Sequence, residues 1–175
     1  MFDWLASILD IFGSFFPRFV HIRTTHQGVK WPFCGQPKAM KPGLRFVWPL
    51  VDQYEIIVVA RQTDTLPPQC LTIADGTTVA VKGLAIYSVE DIVLAYGTKN
   101  WDVTTTVQDL CMAAITEVVS KLEKSDLRDL AKINGRITRR VRSWLTEYGI
   151  RLEKCRLVEV SVARTLRLLG SENLH

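Results

Sequence analysis

Four cysteines and three histidines carry the most reactive side chains of this chain, and their spacing brings little of that reactivity together. Cys34, Cys70, Cys111 and Cys155 lie far apart, and none forms a CxxC pair. Only His21, His26 and His175 remain to complete a metal site, and neither a zinc spacing nor a triad results. No GxSxG, P-loop, GxGxxG or HExxH segment occurs, so the common nucleophilic, phosphate-binding, dinucleotide and metalloprotease machineries are missing. Asp126 and Asp129 flank Arg128 and read as solvent-facing charge around a helix start. The expectation is a non-enzyme with no cofactor and no metal. A chain of 175 residues builds a core without disulfides, so the thiols read as reduced, in a cytosolic setting. Cys34, in a basic region, reads either as an acylation site or as a loop thiol.

The other chemistry available is that of charged and apolar surfaces. Arg136, Arg139, Arg140 and Arg142 cluster on one predicted helix, with Lys132 before them. Such a cluster can contact phosphates, which makes nucleic acid one candidate partner, although no recognised binding motif surrounds it. It also reads as the solvated face opposite an Ile137–Val141–Trp144 stripe. A third reading is a contact with a neighbouring subunit, with Glu117, Glu123, Glu153 and Glu159 as candidate acids. The net charge of +4 permits anionic partners without demanding them.

The strongest surface signal is at the N-terminus. Asp3, Ser7, Asp10, Ser14 and Arg18 recur at helical spacing and form a narrow polar stripe. Phe2, Trp4, Leu5, Ile8, Leu9, Ile11, Phe12, Phe15, Phe16 and Phe19 fill the rest of the wheel. No basic residue precedes the apolar run, which argues against a secretory signal. Asp10 would sit mid-span in a transmembrane helix, at a cost of about 2.5–3.5 kcal/mol, and Pro17 and Arg18 close the segment early. A helix lying in the interface of one leaflet keeps the acids in water. Packing on the domain or on another subunit, and a shallow re-entrant segment, are the alternatives.

Behind this helix, residues 11–51 contain no Asp or Glu but include Arg18, Arg23, Lys30, Lys38, Lys41 and Arg45. Trp31, Phe33, Phe46 and Trp48 are interleaved with five of the seven prolines. Near an anionic leaflet each basic residue contributes roughly 1 kcal/mol, and Trp favours the headgroup layer. The expected membrane-binding set is therefore the apolar residues of the helix together with those six basic residues, Trp31, Phe33 and Trp48.

The elements that would position these residues follow from periodicity. Phe19–Thr25, Gln27–Phe33 and Leu44–Trp48 read as strands, and Tyr54–Ala60 as a buried one. Leu71–Ala74 and Thr77–Tyr87 flank Asp75-Gly76, a hairpin signal. Ser88 with Asp91 reads as a capping box for a short helix over Val89–Tyr96, stopped by Gly97. A longer helix is expected from Val103 to Lys121, with Val107, Leu110, Cys111, Ala114, Ile115, Val118 and Leu122 on its apolar face. A third, capped by Ser125 or Asp126, is expected to break or kink at Asn134-Gly135. Arg151–Val162 alternates as a final strand. This order gives an α+β domain, with antiparallel strands and a hairpin, then helices, then a last strand. The expected boundaries are 1–19 for the amphipathic helix, 20–163 for the domain and 164–175 for a short tail.

That order resembles the SPFH family, also called Band 7, which includes stomatins, prohibitins and flotillins. The resemblance covers roughly residues 20–170. It rests on Gln27-Gly28-Val29, on Lys41-Pro42-Gly43-Leu44-Arg45-Phe46 with Trp48-Pro49, and on Val51-Asp52 with Tyr54–Val59. It continues through Asp64 to Ala74, the turn Asp75-Gly76-Thr77-Thr78-Val79, and the passage from Val81–Tyr87 into Ser88–Tyr96. The resemblance implies a non-enzymatic scaffold on the cytoplasmic face of a membrane. Such proteins assemble laterally into homo-oligomers, organise microdomains, and associate with membrane proteins or membrane proteases. Members usually continue into a long C-terminal helix or coiled coil. Here only Arg164–Gly170 could begin one, so the expectation is a smaller oligomer formed through the domain itself.

Overall fold

The computed structural model describes residues 17–48, 51–98 and 102–162. Along the chain run β1 (Arg18–Ile22), β2 (His26–Pro32), β3 (Lys38–Met40), β4 (Gly43–Val47), β5 (Asp52–Val58), β6 (Gln62–Thr65), β7 (Gln69–Thr72) and β8 (Thr78–Val89). A π-helical segment, Val93–Thr98, leads towards helix α1 (Val103–Val119). Helix α2 (Leu130–Leu145) and strand β9 (Ile150–Val162) complete the described fold.

β8 is the axis of the main sheet. β9 runs antiparallel along one side of it, from Val79 opposite Val162 to Val89 opposite Ile150. On its other side β7 and β6 pair in tandem with the two halves. Val79, Val81, Ala85, Tyr87 and Val89 alternate into the core, as the period of a strand requires. α1 adds Val103, Val107, Cys111, Ala114, Ile115 and Val119, and α2 adds Ile133, Ile137, Val141 and Leu145, one per turn. Gly83 lets α1 come close: a Cβ there would stand 2.8 Å from Leu66 Cδ1 and 3.0 Å from Ile115 Cδ1. Beside the Cys155 thiol, and buried, the Cys111 thiol is held far above its ordinary pKa and stays protonated.

β9 is an edge strand with two interruptions in its register, between the pairings of Lys82 and Gly83 and of Ile86 and Tyr87. An edge strand turns part of its backbone N–H and carbonyl groups away from its neighbour, and these must find other partners; α2 supplies them from every fourth residue. Asn134 Oδ1 accepts from Leu157 N at 2.8 Å. The Thr138 hydroxyl donates to the Cys155 carbonyl at 2.8 Å and accepts from its N–H at 3.1 Å. Arg142 donates to the carbonyls of Leu152 and Glu153 at 3.2 and 3.1 Å.

A three-stranded sheet, β3-β2-β5, packs one face on this core through Val29, Ile57 and Trp31. Its other face carries Gly28 and Met40 and meets a two-stranded ribbon, β1–β4, through a small cluster of Ile22, Met40 and Val47.

Several expected elements stand corrected. The Tyr54–Ala60 run is not a buried strand: β5 lies at a sheet edge, and of Tyr54, Ile56, Ile57 and Val58 only Ile57 is buried. Ser88 does not open a helix, because its pairing with Arg151 keeps β8 extended. Asp91 does the capping, its Oδ1 accepting from Val93 N and Leu94 N, and Gly97 lies inside the turn it was expected to end. α2 starts at Asp129, whose carboxylate accepts from Lys132 N at 3.0 Å. It runs unbroken through Asn134-Gly135, because Asn134 turns its amide to β9 and Gly135 is exposed. β3 and β6 were not anticipated.

Candidate functional site

The β1–β4 ribbon decides which residues of the acid-free stretch come together. Its register sets Phe19 opposite Phe46 and His21 opposite Leu44, so these four share the outer face. Val20, Ile22 and Val47 take the inner face and hold the ribbon to the domain. The two phenyl rings meet edge to face, with centroids 5.8 Å apart. Phe19 is 69% exposed, Leu44 63% and Phe46 50%. Three large apolar side chains grouped in water, rather than scattered, mark a contact surface. Trp48, at the end of β4, is also exposed.

A cleft of about 470 Å³ opens between the ribbon and the three-stranded sheet, with Lys30, Lys38, Lys41, Arg45 and Asp52 in its wall. Lys30 forms an ion pair with Asp52, which also accepts from Trp48 N at 3.0 Å. Burial pushes the Asp52 carboxyl up, but the Lys30 ammonium and the Trp48 N–H outweigh it and hold it below its usual range. Arg45 Nε donates to the Lys41 carbonyl at 2.8 Å, tying the turn in which Gly43 takes a φ of +114°.

The expected membrane set therefore divides. Arg18, Phe19 and Trp48 lie exposed on the ribbon. Lys38 and Lys41 lie exposed at the cleft, Arg23 in the β1–β2 turn, and Phe33 in the loop after β2, 85% exposed. Trp31 packs on the main core, Lys30 is matched by Asp52, and Arg45 ties its turn. Phe2, Trp4, Leu5, Ile8, Leu9, Ile11, Phe12, Phe15 and Phe16 lie outside the described residues. Leu44 was missed, and Phe46 stood in the stretch but not in the expected set. The alternation Leu44-Arg45-Phe46-Val47 was visible, but which half faces outward depends on the register with β1.

The arginine cluster divides too. Arg140 makes a two-pronged contact with Glu117, at 2.9 and 3.2 Å, and lies 4.8 Å above the Trp144 ring. Glu117 also pairs with Lys121. The Arg140 hydrogen bond and then the Lys121 one hold the Glu117 carboxyl below its usual range. Arg142 is turned to β9. Arg136 and Arg139 line an open groove of about 430 Å³ beside Lys121 and Ser143. Two of the candidate acids thus have partners within the chain, since Glu153 pairs with Arg61 at 3.1 Å.

The family model for the SPFH domain / Band 7 family matches residues 20–167. The chain belongs to that family. The match takes in all nine strands and both helices described above except the first two residues of β1. Proteins with a Band 7 domain are generally membrane-associated, oligomeric and non-enzymatic. A comparison with curated proteins returns no match. Among the described residues of this Band 7 domain, no helix is long and apolar enough to cross a membrane. No three His, Cys, Asp or Glu side chains among them group as a metal ion would need.

Proposed function

We propose that this Band 7 protein is a self-assembling scaffold held on one leaflet at the cytoplasmic face of a membrane. Its N-terminal segment lies among the lipids, the outer face of the β1–β4 ribbon rests on the headgroups, and the domain organises membrane or membrane-protein partners, including proteases. The observation that carries the reading is the exposed Phe19–Leu44–Phe46 face. It directly follows the first sixteen residues, whose sequence has the pattern of an interfacial helix. A flat apolar group between basic side chains suits the boundary between headgroups and acyl chains.

Lateral assembly is supported by two further apolar surfaces that differ from each other. Tyr54, Ile56 and Val58 stand exposed along β5, on the same face of its sheet as Gly28 and Lys30. Leu130, Val158 and Val162 border a groove at the end of β9. The first lies near the Val89 end of β8, where Val89 N donates to the Val59 carbonyl, and the second near its Val79 end. The ten steps of strand from Val79 to Val89 span about 33 Å. Two unlike patches at opposite ends favour a head-to-tail contact, which closes into a ring or continues as a row.

The test is flotation of the full chain with phosphatidylcholine–phosphatidylserine vesicles. A Phe19→Ser/Phe46→Ser variant should bind about thirtyfold more weakly, since each phenyl ring contributes on the order of 1 kcal/mol when partly buried in the interface. Undiminished flotation would remove the ribbon from the docking face. The exposed β5 stripe also favours a second reading, a subunit that uses its apolar surfaces only against protein. A defined oligomer that forms without detergent and ignores vesicles would establish that reading instead.

A further inference from the structure

The cleft beside the ribbon holds more positive charge than its role as a junction needs. Lys30 and Lys38 stand directly opposite each other across β2 and β3, and like charges in that position destabilise a sheet. Asp52 relieves only one of them. Lys41 and Arg45 enter the same wall from the turn before β4 and from β4 itself. Four cations therefore surround one carboxylate in about 470 Å³. Arg45 uses Nε and one Nη2 hydrogen on the carbonyls of Lys41 and Pro42, which leaves further donors on its fork. Among the described residues, Asp52 is the one acid in the cleft wall.

We infer that the cleft formed by Lys30, Lys38, Lys41 and Arg45 binds a phosphomonoester dianion. Such a group carries close to two negative charges at neutral pH and three acceptor oxygens, which matches several converging ammonium donors better than a singly charged diester does. Phe46 lies on the cleft wall and also on the apolar outer face of the ribbon. A phosphate seated in the cleft would thus have an apolar surface beside it on one side and water on the other. A lipid headgroup ending in a phosphomonoester uses both, and this source rests on the membrane reading above. A soluble phosphate ester uses the cleft alone.

The experiment follows the backbone amide resonances of the full chain during titration with glycerol 3-phosphate, and separately with glycerophosphocholine. Saturable shifts at Lys38–Lys41 and Arg45, at least fivefold weaker for the diester, are expected. A Lys38→Gln/Lys41→Gln variant should lose at least tenfold in affinity, and both positions are exposed, so the fold should persist. A flotation arm compares phosphatidylcholine vesicles carrying phosphatidic acid or phosphatidylserine at matched surface potential. A threefold or greater preference for phosphatidic acid, lost in the double variant, identifies the lipid as the source. Saturable binding of glycerol 3-phosphate without that preference identifies a soluble ester. The inference is overturned if neither arm shows a monoester preference, or if the double variant binds like the wild type. Failure to bind any vesicle would defeat the membrane reading, and the soluble titration would still decide the cleft.

Discussion

Replacing Thr138 by Val tests whether α2 completes the edge of β9. Valine keeps the branched shape and removes the one hydroxyl that serves both the N–H and the carbonyl of Cys155, at 3.1 and 2.8 Å. Cys155 is fully buried. A buried backbone group left without a partner costs about 1–3 kcal/mol, and here two groups lose theirs. Thr138 itself lines an open groove with Asn134, Gly135 and Arg142, so water can reach part of the vacated position. The expected loss is therefore about 2 kcal/mol in total, which lowers the melting temperature by roughly 4–8 °C in a chain of this size. Urea unfolding followed by tryptophan fluorescence measures it, and the slope m should stay constant. Thr138→Ser keeps the hydroxyl and should lose less than half as much. A Val variant within about 0.5 kcal/mol of wild type, or a Ser variant as unstable as the Val one, would refute the argument.

Gly149 has φ +69°, and an added Cβ would lie 2.6 Å from the Asp91 carbonyl oxygen; with about 1–2 kcal/mol for the left-handed backbone and about 1–3 for the overlap, Gly149→Ala should cost about 3 kcal/mol in the same unfolding assay. Asp at Phe12 and Phe16 together should release the protein from vesicles, and unchanged flotation would rule out an anchor in that segment. The Glu117 carboxyl should titrate below the usual glutamate range by carbon-detected resonance and move back up in Arg140→Gln. Because its folded pKa is depressed, its contribution to stability is complete above the unfolded value and fades as pH falls through the folded one.

The parts of the fold legible in the sequence were those set by local chemistry. Asp75-Gly76 made its hairpin, with Gly76 at φ +81° and Asp75 accepting from Thr77 N. The apolar face of α1 fell close to where its period put it, and β9 formed as a strand, although two bulges interrupt its alternation and leave Val158 and Val162 exposed. The errors came where a long-range partner decided the outcome. The apolar run of β5 fits a buried strand or an uncovered edge equally well, and only the pairing order β3-β2-β5 separates them. Asn134-Gly135 looks like a helix breaker until the Leu157 N–H appears beside the Asn134 amide. The candidate site was half legible. Basic and aromatic residues without acids announced a surface, but the Lys30–Asp52 pair and the Phe19–Phe46 contact both join residues more than twenty positions apart. The arginines were read as one cluster because helical spacing groups them, whereas Arg140 reaches back to α1 and Arg142 across to β9.

The coverage of β9 by α2 also bears on how the protein behaves between synthesis and assembly. A long, straight, apolar edge would recruit any extended chain it met and grow without limit. The side chains of Asn134, Thr138 and Arg142 occupy that edge from Leu152 to Leu157. Among the described residues, the last five of the strand, Val158 to Val162, keep no such guard. In the assembly proposed above, that open stretch is where a second copy would meet β9, while the guarded part stays closed to other chains.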